Sequence, residues 1–167
     1  MITMGKPMGN GIPISGLAAK EDVLAAFSDK LPYFNTFGGN PVSIAAAQAV
    51  LKYIKDENLQ EHCKKAGAEL LKALKEVQER HPESVGDVRG AGLFLGFEFV
   101  KNDGNKTPDK DMALNVIEML RDEHILTSVI GHYGNILKLR PPMVFSENDI
   151  DWFATSLDKC ITKLENK

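Results

Sequence analysis

The chain has 167 residues, 43% of them hydrophobic and 26% charged, the balance of a folded globular protein and not of a disordered one. Its 23 acidic and 20 basic residues nearly cancel, which excludes a nucleic-acid binder that relies on net charge. No apolar run approaches the roughly 20 residues of a membrane span, so no membrane partner is expected. With no signal peptide or basic transit-like start, the expected compartment is the cytoplasm, a mitochondrial one staying open if upstream residues are missing.

In chain order, the opening stretch "MGKPMGNGIP", residues 4–13, places Lys6 among three glycines and two prolines and reads as a loop. "IPISGLAA" reads as a short buried strand and "KEDVLAAF" as a short helix. "LPYFNTFGGNP", residues 31–41, is punctuation, with a turn at Gly38-Gly39-Asn40-Pro41. Helical spacing then takes over: Ile44, Ala47, Leu51 and Ile54 recur at three or four residues, as do Leu59, Cys63, Ala66, Leu70, Leu74 and Val77. Asp56-Glu57-Asn58 is expected to break the run.

The period changes in "GLFLGFEFV", where Leu93, Leu95, Phe97 and Phe99 alternate with other residues and predict a strand with one apolar face. A polar loop, residues 101–110, leads to a helix that Thr107 can cap with Pro108 in its first turn. "ILTSVI" and "NILKLR" read as two strands around the turn His132–Asn135, and Ser146 with Asp149 has capping-box spacing for a last helix. Cys63 and Cys160 fall in helical segments as reduced packing residues, and the four histidines show no metal spacing, so no metal site is expected.

These elements predict an α+β or α/β protein in three parts. Residues 83–167 form a small α+β domain, a sheet covered by helices on one side, and residues 43–82 form connecting helices. Residues 1–42 hold too little to build a core and read as the remnant of a larger domain.

Taken alone, Lys6 is most simply a solvated loop lysine. It does not fit a Walker loop, since it precedes Pro7 and not Ser or Thr, and Gly9-Asn10-Gly11 lacks the third glycine of a dinucleotide fingerprint. With the later loops in view, the sequence resembles the class III aminotransferases of the fold-type I pyridoxal-phosphate (PLP) superfamily. The resemblance is carried by "TMGKPMGNGIP" at 3–13, "YFNTFGGNPVS" at 33–43, "VRGAGLFLGFEFV" at 88–100 and "LKLRPPMVFSENDID" at 137–151, and it runs through the whole chain. Within that family it looks most similar to the ethanolamine-phosphate and phosphohydroxylysine phospho-lyase branch.

The resemblance implies roles for three residues. By it, Lys6 falls on the family lysine that binds the PLP aldehyde as an imine and then, once freed, moves a proton at the substrate carbon. Thr36 falls on the threonine that hydrogen-bonds the PLP phosphate from the neighbouring subunit of a homodimer; otherwise its hydroxyl would only organise the turn. Arg140 falls on a strand whose arginine holds the substrate carboxylate in many class III aminotransferases, while a solvated strand-end arginine is the plainer alternative. Arg89 is read as structural. The glycine-rich phosphate loop, stacking aromatic and pyridine-pairing aspartate that precede the family lysine have no counterpart, so the chain is expected to be the carboxy-terminal part of such an enzyme and inactive alone.

The reaction that the resemblance implies for the complete enzyme is transfer of an amino group from an amine or amino acid to a 2-oxo acid. The alternatives are a PLP-dependent phospho-lyase acting on a phosphorylated amino alcohol, and a non-catalytic interaction module.

Overall fold

The computed structural model describes residues 1–166 and divides into two units, Met1–Asn58 and the chain from Leu59 onward. In the first, β1 (Ile2–Met4) and β2 (Gly16–Ala18) pair antiparallel with Thr3 opposite Leu17. Between them the chain makes a 3-10 turn over Lys6–Gly9. The strand expected in "IPISGLAA" is thus shorter than its apolar run and is not buried: β2 pairs only with β1, and its residues are half-buried or exposed. Helix α1 (Glu21–Ser28) has no buried residue.

Helix α2 (Pro41–Asp56) starts where the chemistry of its first residues dictates. The Asn40 side chain accepts from the Ser43 amide at 2.9 Å, and Pro41 takes the first helical position, where no amide proton is needed. It ends at the expected break, followed by Asn58 at φ +50°. The Lys6–Gly9 turn lies against α2.

The second unit runs α3 (Leu59–Arg80), β3 (Val85–Ala91), β4 (Phe94–Phe99), α4 (Lys110–Asp122), β5 (Ser128–Ile130), β6 (Ile136–Leu139) and α5 (Glu147–Glu165). Its antiparallel sheet has the order β3-β4-β6-β5. Val88, Leu95, Phe97, Phe99, Leu137 and Leu139 are buried against Leu70, Leu74, Val77, Val116, Leu120, Leu157 and Ile161 of the three helices. The alternate residues Phe94, Gly96, Glu98, Lys138 and Arg140 lie on the open face. This is a one-sided α+β layer of the kind expected from periodicity, with α3, which lies in the segment expected to connect, forming part of its core.

Two expectations need correction. The sheet has a strand, β3, that the sequence pattern did not show. Its alternation is broken by a register shift between Val85 and Asp87, and only Val85 and Val88 are buried in it, so no apolar period survives. The cap of α4 is Asp109 and not Thr107: the Asp109 carboxylate accepts from the Met112 amide at 2.9 Å, while Pro108 precedes the helix and bridges to Val100. A carboxylate adjacent to the helix outcompetes a hydroxyl two residues earlier.

The β3–β4 turn is seated on α3 by glycine. An added Cβ at Gly67 would lie 2.1 Å from the Gly92 carbonyl oxygen, so helix and turn touch backbone to backbone. Gly92 itself has φ +53°. The far end of α3 is tied to α5 by His81, which is 6% exposed; its Nδ1 lies 2.7 Å from Glu165 and its Nε2 3.1 Å from Asp158. At the near end the His62 ring donates to the Phe145 carbonyl at 3.0 Å, holding the segment that follows β6.

Candidate functional site

Lys6 stands at φ +50° immediately after an extended Gly5. A non-glycine residue in the left-handed region costs on the order of 1–3 kcal/mol and persists only where its surroundings impose it. Here they do. The Asn10 amide donates to the Pro7 carbonyl at 3.0 Å, the Ile12 amide to the Gly9 carbonyl at 3.2 Å, and Gly9 is buried with its Cβ position 3.0 Å from Ile14. The loop therefore presents the lysine from a fixed backbone.

Lys6 lines a concavity of about 450 Å³ together with Ser15, Asn35, Gly38, Gly39 and Ser43. One wall is the turn before α2, and the Asn40 cap and the start of the helix close it. The arrangement joins a primary amine, small hydroxyls and glycine backbone beside a helix N-terminus, which suits an anionic ligand with a carbonyl group.

Thr36 is exposed in the same turn but is not among the residues that line the concavity with Lys6. The turn is organised by its neighbour. The Asn35 carboxamide oxygen accepts from the amides of Phe37 at 3.1 Å and Gly38 at 3.0 Å. The plainer role for the Thr36 hydroxyl, shaping this turn, is thus filled by Asn35, a residue that sequence reasoning missed although an Asx turn before Gly-Gly is a legible signal.

Arg140 follows β6 in the second unit. Its guanidinium lies 5.9 Å from the centre of the Phe94 ring on the open face of the sheet, and among the described residues no carboxylate is within 4.0 Å of it. The contrast is Arg89, whose Nη1 donates to Glu98 at 2.7 Å and to Asp87 at 2.5 Å. Those hydrogen bonds, Glu98 first, hold its proton more tightly than usual. Burial pushes both thiols, Cys63 and Cys160, up and away from reactivity, as packing residues require. No group of acidic, histidine or cysteine side chains among the described residues could hold a metal ion.

The family description Aminotransferase class-III matches residues 1–161. The chain belongs to the class III aminotransferase family. It is 45% identical over 163 residues to ethanolamine-phosphate phospho-lyase homolog 1 of Caenorhabditis elegans, covering 97% of this chain and 35% of that protein. To alanine–glyoxylate aminotransferase 2-like of Drosophila melanogaster it is 38% identical, over 97% of this chain and 33% of that one. Among solved structures it matches a phospholyase from Arthrobacter in complex with phosphoethanolamine, with a TM-score of 0.90 and 39% identity over 96% of this chain and 38% of that chain. The class III chain thus spans about a third of the length of the curated relatives it matches.

Proposed function

We propose that this chain supplies the lysine-bearing, carboxy-terminal part of a PLP-dependent enzyme that acts on small primary amines. The observation that carries the reading is Lys6 itself, held at a strained backbone angle with its side chain in a concavity lined by glycine backbone and hydroxyls. These residues fit the cofactor: an amine for its aldehyde, and the Gly38-Gly39 turn at the start of α2 for an anion. Bound PLP would act as an electron sink for the carbon that bears the substrate amine. Lys6 would hold the cofactor and, when released, take and return a proton at that carbon.

Thr36 would serve the cofactor phosphate of a second subunit. Its exposure, its absence from the Lys6 concavity and the exposed rings of Tyr33, Phe34 and Phe37 around it all suit a loop that meets another chain. Arg140 would hold the anionic end of the substrate, since a guanidinium with no acidic partner among the described residues can grip two oxygens at once.

With this machinery the whole protein would transfer an amino group to a 2-oxo acid, the reaction its family is named for. A second reading is elimination of phosphate from a phosphorylated amino alcohol, favoured by the likeness to a phospholyase that binds phosphoethanolamine. Incubating the whole protein with PLP and phosphoethanolamine separates them. Release of inorganic phosphate without a 2-oxo acid means elimination, and 2-oxo-acid-dependent amino transfer without phosphate release means transamination. Borohydride reduction of the PLP-loaded protein should fix the cofactor on the peptide that contains Lys6; a label on another lysine would falsify the assignment.

A further inference from the structure

The turn at residues 35–39 distributes its hydrogen-bonding groups unevenly. The Asn35 carboxamide oxygen accepts from the amides of Phe37 at 3.1 Å and Gly38 at 3.0 Å, and the Asn40 amide donates to the Phe37 carbonyl at 3.3 Å. The nitrogen of the same carboxamide donates to the Tyr33 hydroxyl at 3.3 Å, which keeps the oxygen facing the turn. The Thr36 hydroxyl and the Thr36 and Gly39 amides have no partner among the described residues.

Packing follows the same division. A Cβ added at Gly38 would lie 3.2 Å from both Cβ and Cγ of Asn35, so the carboxamide sits against the backbone that it bonds. At Gly39, with φ +72°, an added Cβ would meet nothing within 4 Å. Asn35 lines the Lys6 concavity, whereas Thr36 does not and is exposed. One residue therefore holds the turn on the Lys6 side, and the next offers its hydroxyl to whatever lies beyond. A hydroxyl on a loose turn must be ordered when it meets an anion, and that ordering weakens binding. Two amides bonded to a side chain of the same turn order it beforehand.

We propose that Asn35 is a positioning residue for the cofactor phosphate: its carboxamide takes up the Phe37 and Gly38 amides and so holds the Thr36 hydroxyl in place for the phosphate bound in a second subunit. The inference rests on the role given to Thr36 above. Asn35 touches neither phosphate nor substrate; it acts through Thr36.

The test is the affinity of the whole protein for PLP and for pyridoxal, which carries the same aldehyde and no phosphate, read from the absorbance of the bound cofactor. Thr36→Ala should weaken PLP binding about thirtyfold, the loss of one hydrogen bond to a charged group, and leave pyridoxal unchanged. Asn35→Ala should weaken PLP about tenfold and also leave pyridoxal unchanged. Asn35→Ser, whose hydroxyl can accept from the same amides less well, should fall between Asn35→Ala and wild type, and it serves the same comparisons if Asn35→Ala does not fold. The double variant should bind PLP about as Thr36→Ala does, because without the hydroxyl nothing is left to position; independent structural effects would multiply to about 300-fold. Unchanged PLP affinity in Asn35→Ala, an equal loss for pyridoxal, or the full product in the double variant overturns the inference and leaves Thr36 its role. Unchanged PLP affinity in Thr36→Ala overturns both.

Discussion

Replacing Gly67 by alanine sets two effects of opposite sign against each other. Within a helix, alanine is favoured over glycine by roughly 0.8–1 kcal/mol, so α3 considered alone predicts a more stable protein. The structure predicts the reverse. The new Cβ would lie 2.1 Å from the Gly92 carbonyl oxygen, 2.2 Å from its carbon and 2.6 Å from its Cα, where ordinary contact begins near 3.4 Å. These are backbone atoms, so no side chain can swing away; α3 and the β3–β4 turn must part by about an ångström. Forced separation of that kind costs about 3 kcal/mol, the upper end of overpacking, which leaves a net loss of about 2 kcal/mol after the helix gain. For a unit of this size that lowers the melting temperature by about 10 °C. The check is urea and thermal unfolding of wild type and Gly67→Ala followed by circular dichroism. Unchanged or increased stability would refute the backbone contact.

Three more outcomes are expected. In the whole protein, mixing an inactive Lys6→Ala subunit with an inactive Thr36→Ala subunit should restore activity to heterodimers, each with one intact site; heterodimers without activity would return Thr36 to its own subunit or to no role. Arg140→Lys should raise the KM for a substrate with an anionic end about 30-fold, by loss of about 2 kcal/mol of bidentate grip, and leave amines without that end little affected; an equal effect on both counts against it. The Ser146 hydroxyl and amide bind the Asp149 carboxylate and lower its pKa, so this capping box stabilises the fold above the unfolded pKa near ~4 and is lost as pH falls through the depressed folded value. The stability difference between wild type and Asp149→Asn, read as urea midpoint, should therefore shrink as pH drops below about 4; a constant difference down to about pH 2 would rule the box out.

The amino-acid sequence by itself determined what depends on neighbours a few residues apart. The alternation of Leu95, Phe97 and Phe99 produced the buried face of β4, Ser146 and Asp149 closed their capping box, and the Asp56–Asn58 break ended α2. The Gly/Pro loop around Lys6 was legible for the same reason, since these residues restrict their own dihedrals. Only tertiary structure decided the rest. Strand β3 has too few buried residues to show a period and exists because β4 offers it an edge. Gly67 reads as an ordinary helix residue until the Gly92 backbone arrives against it. His81 looks like a loop histidine until α5 brings Glu165 and Asp158 to its two nitrogens. Arg89 and Arg140 are the same side chain with opposite circumstances, one holding two carboxylates and the other, among the described residues, none. The Asp87 contact is local, two residues along the same strand, but the Glu98 contact comes from the pairing of β3 with β4, which local pattern does not show.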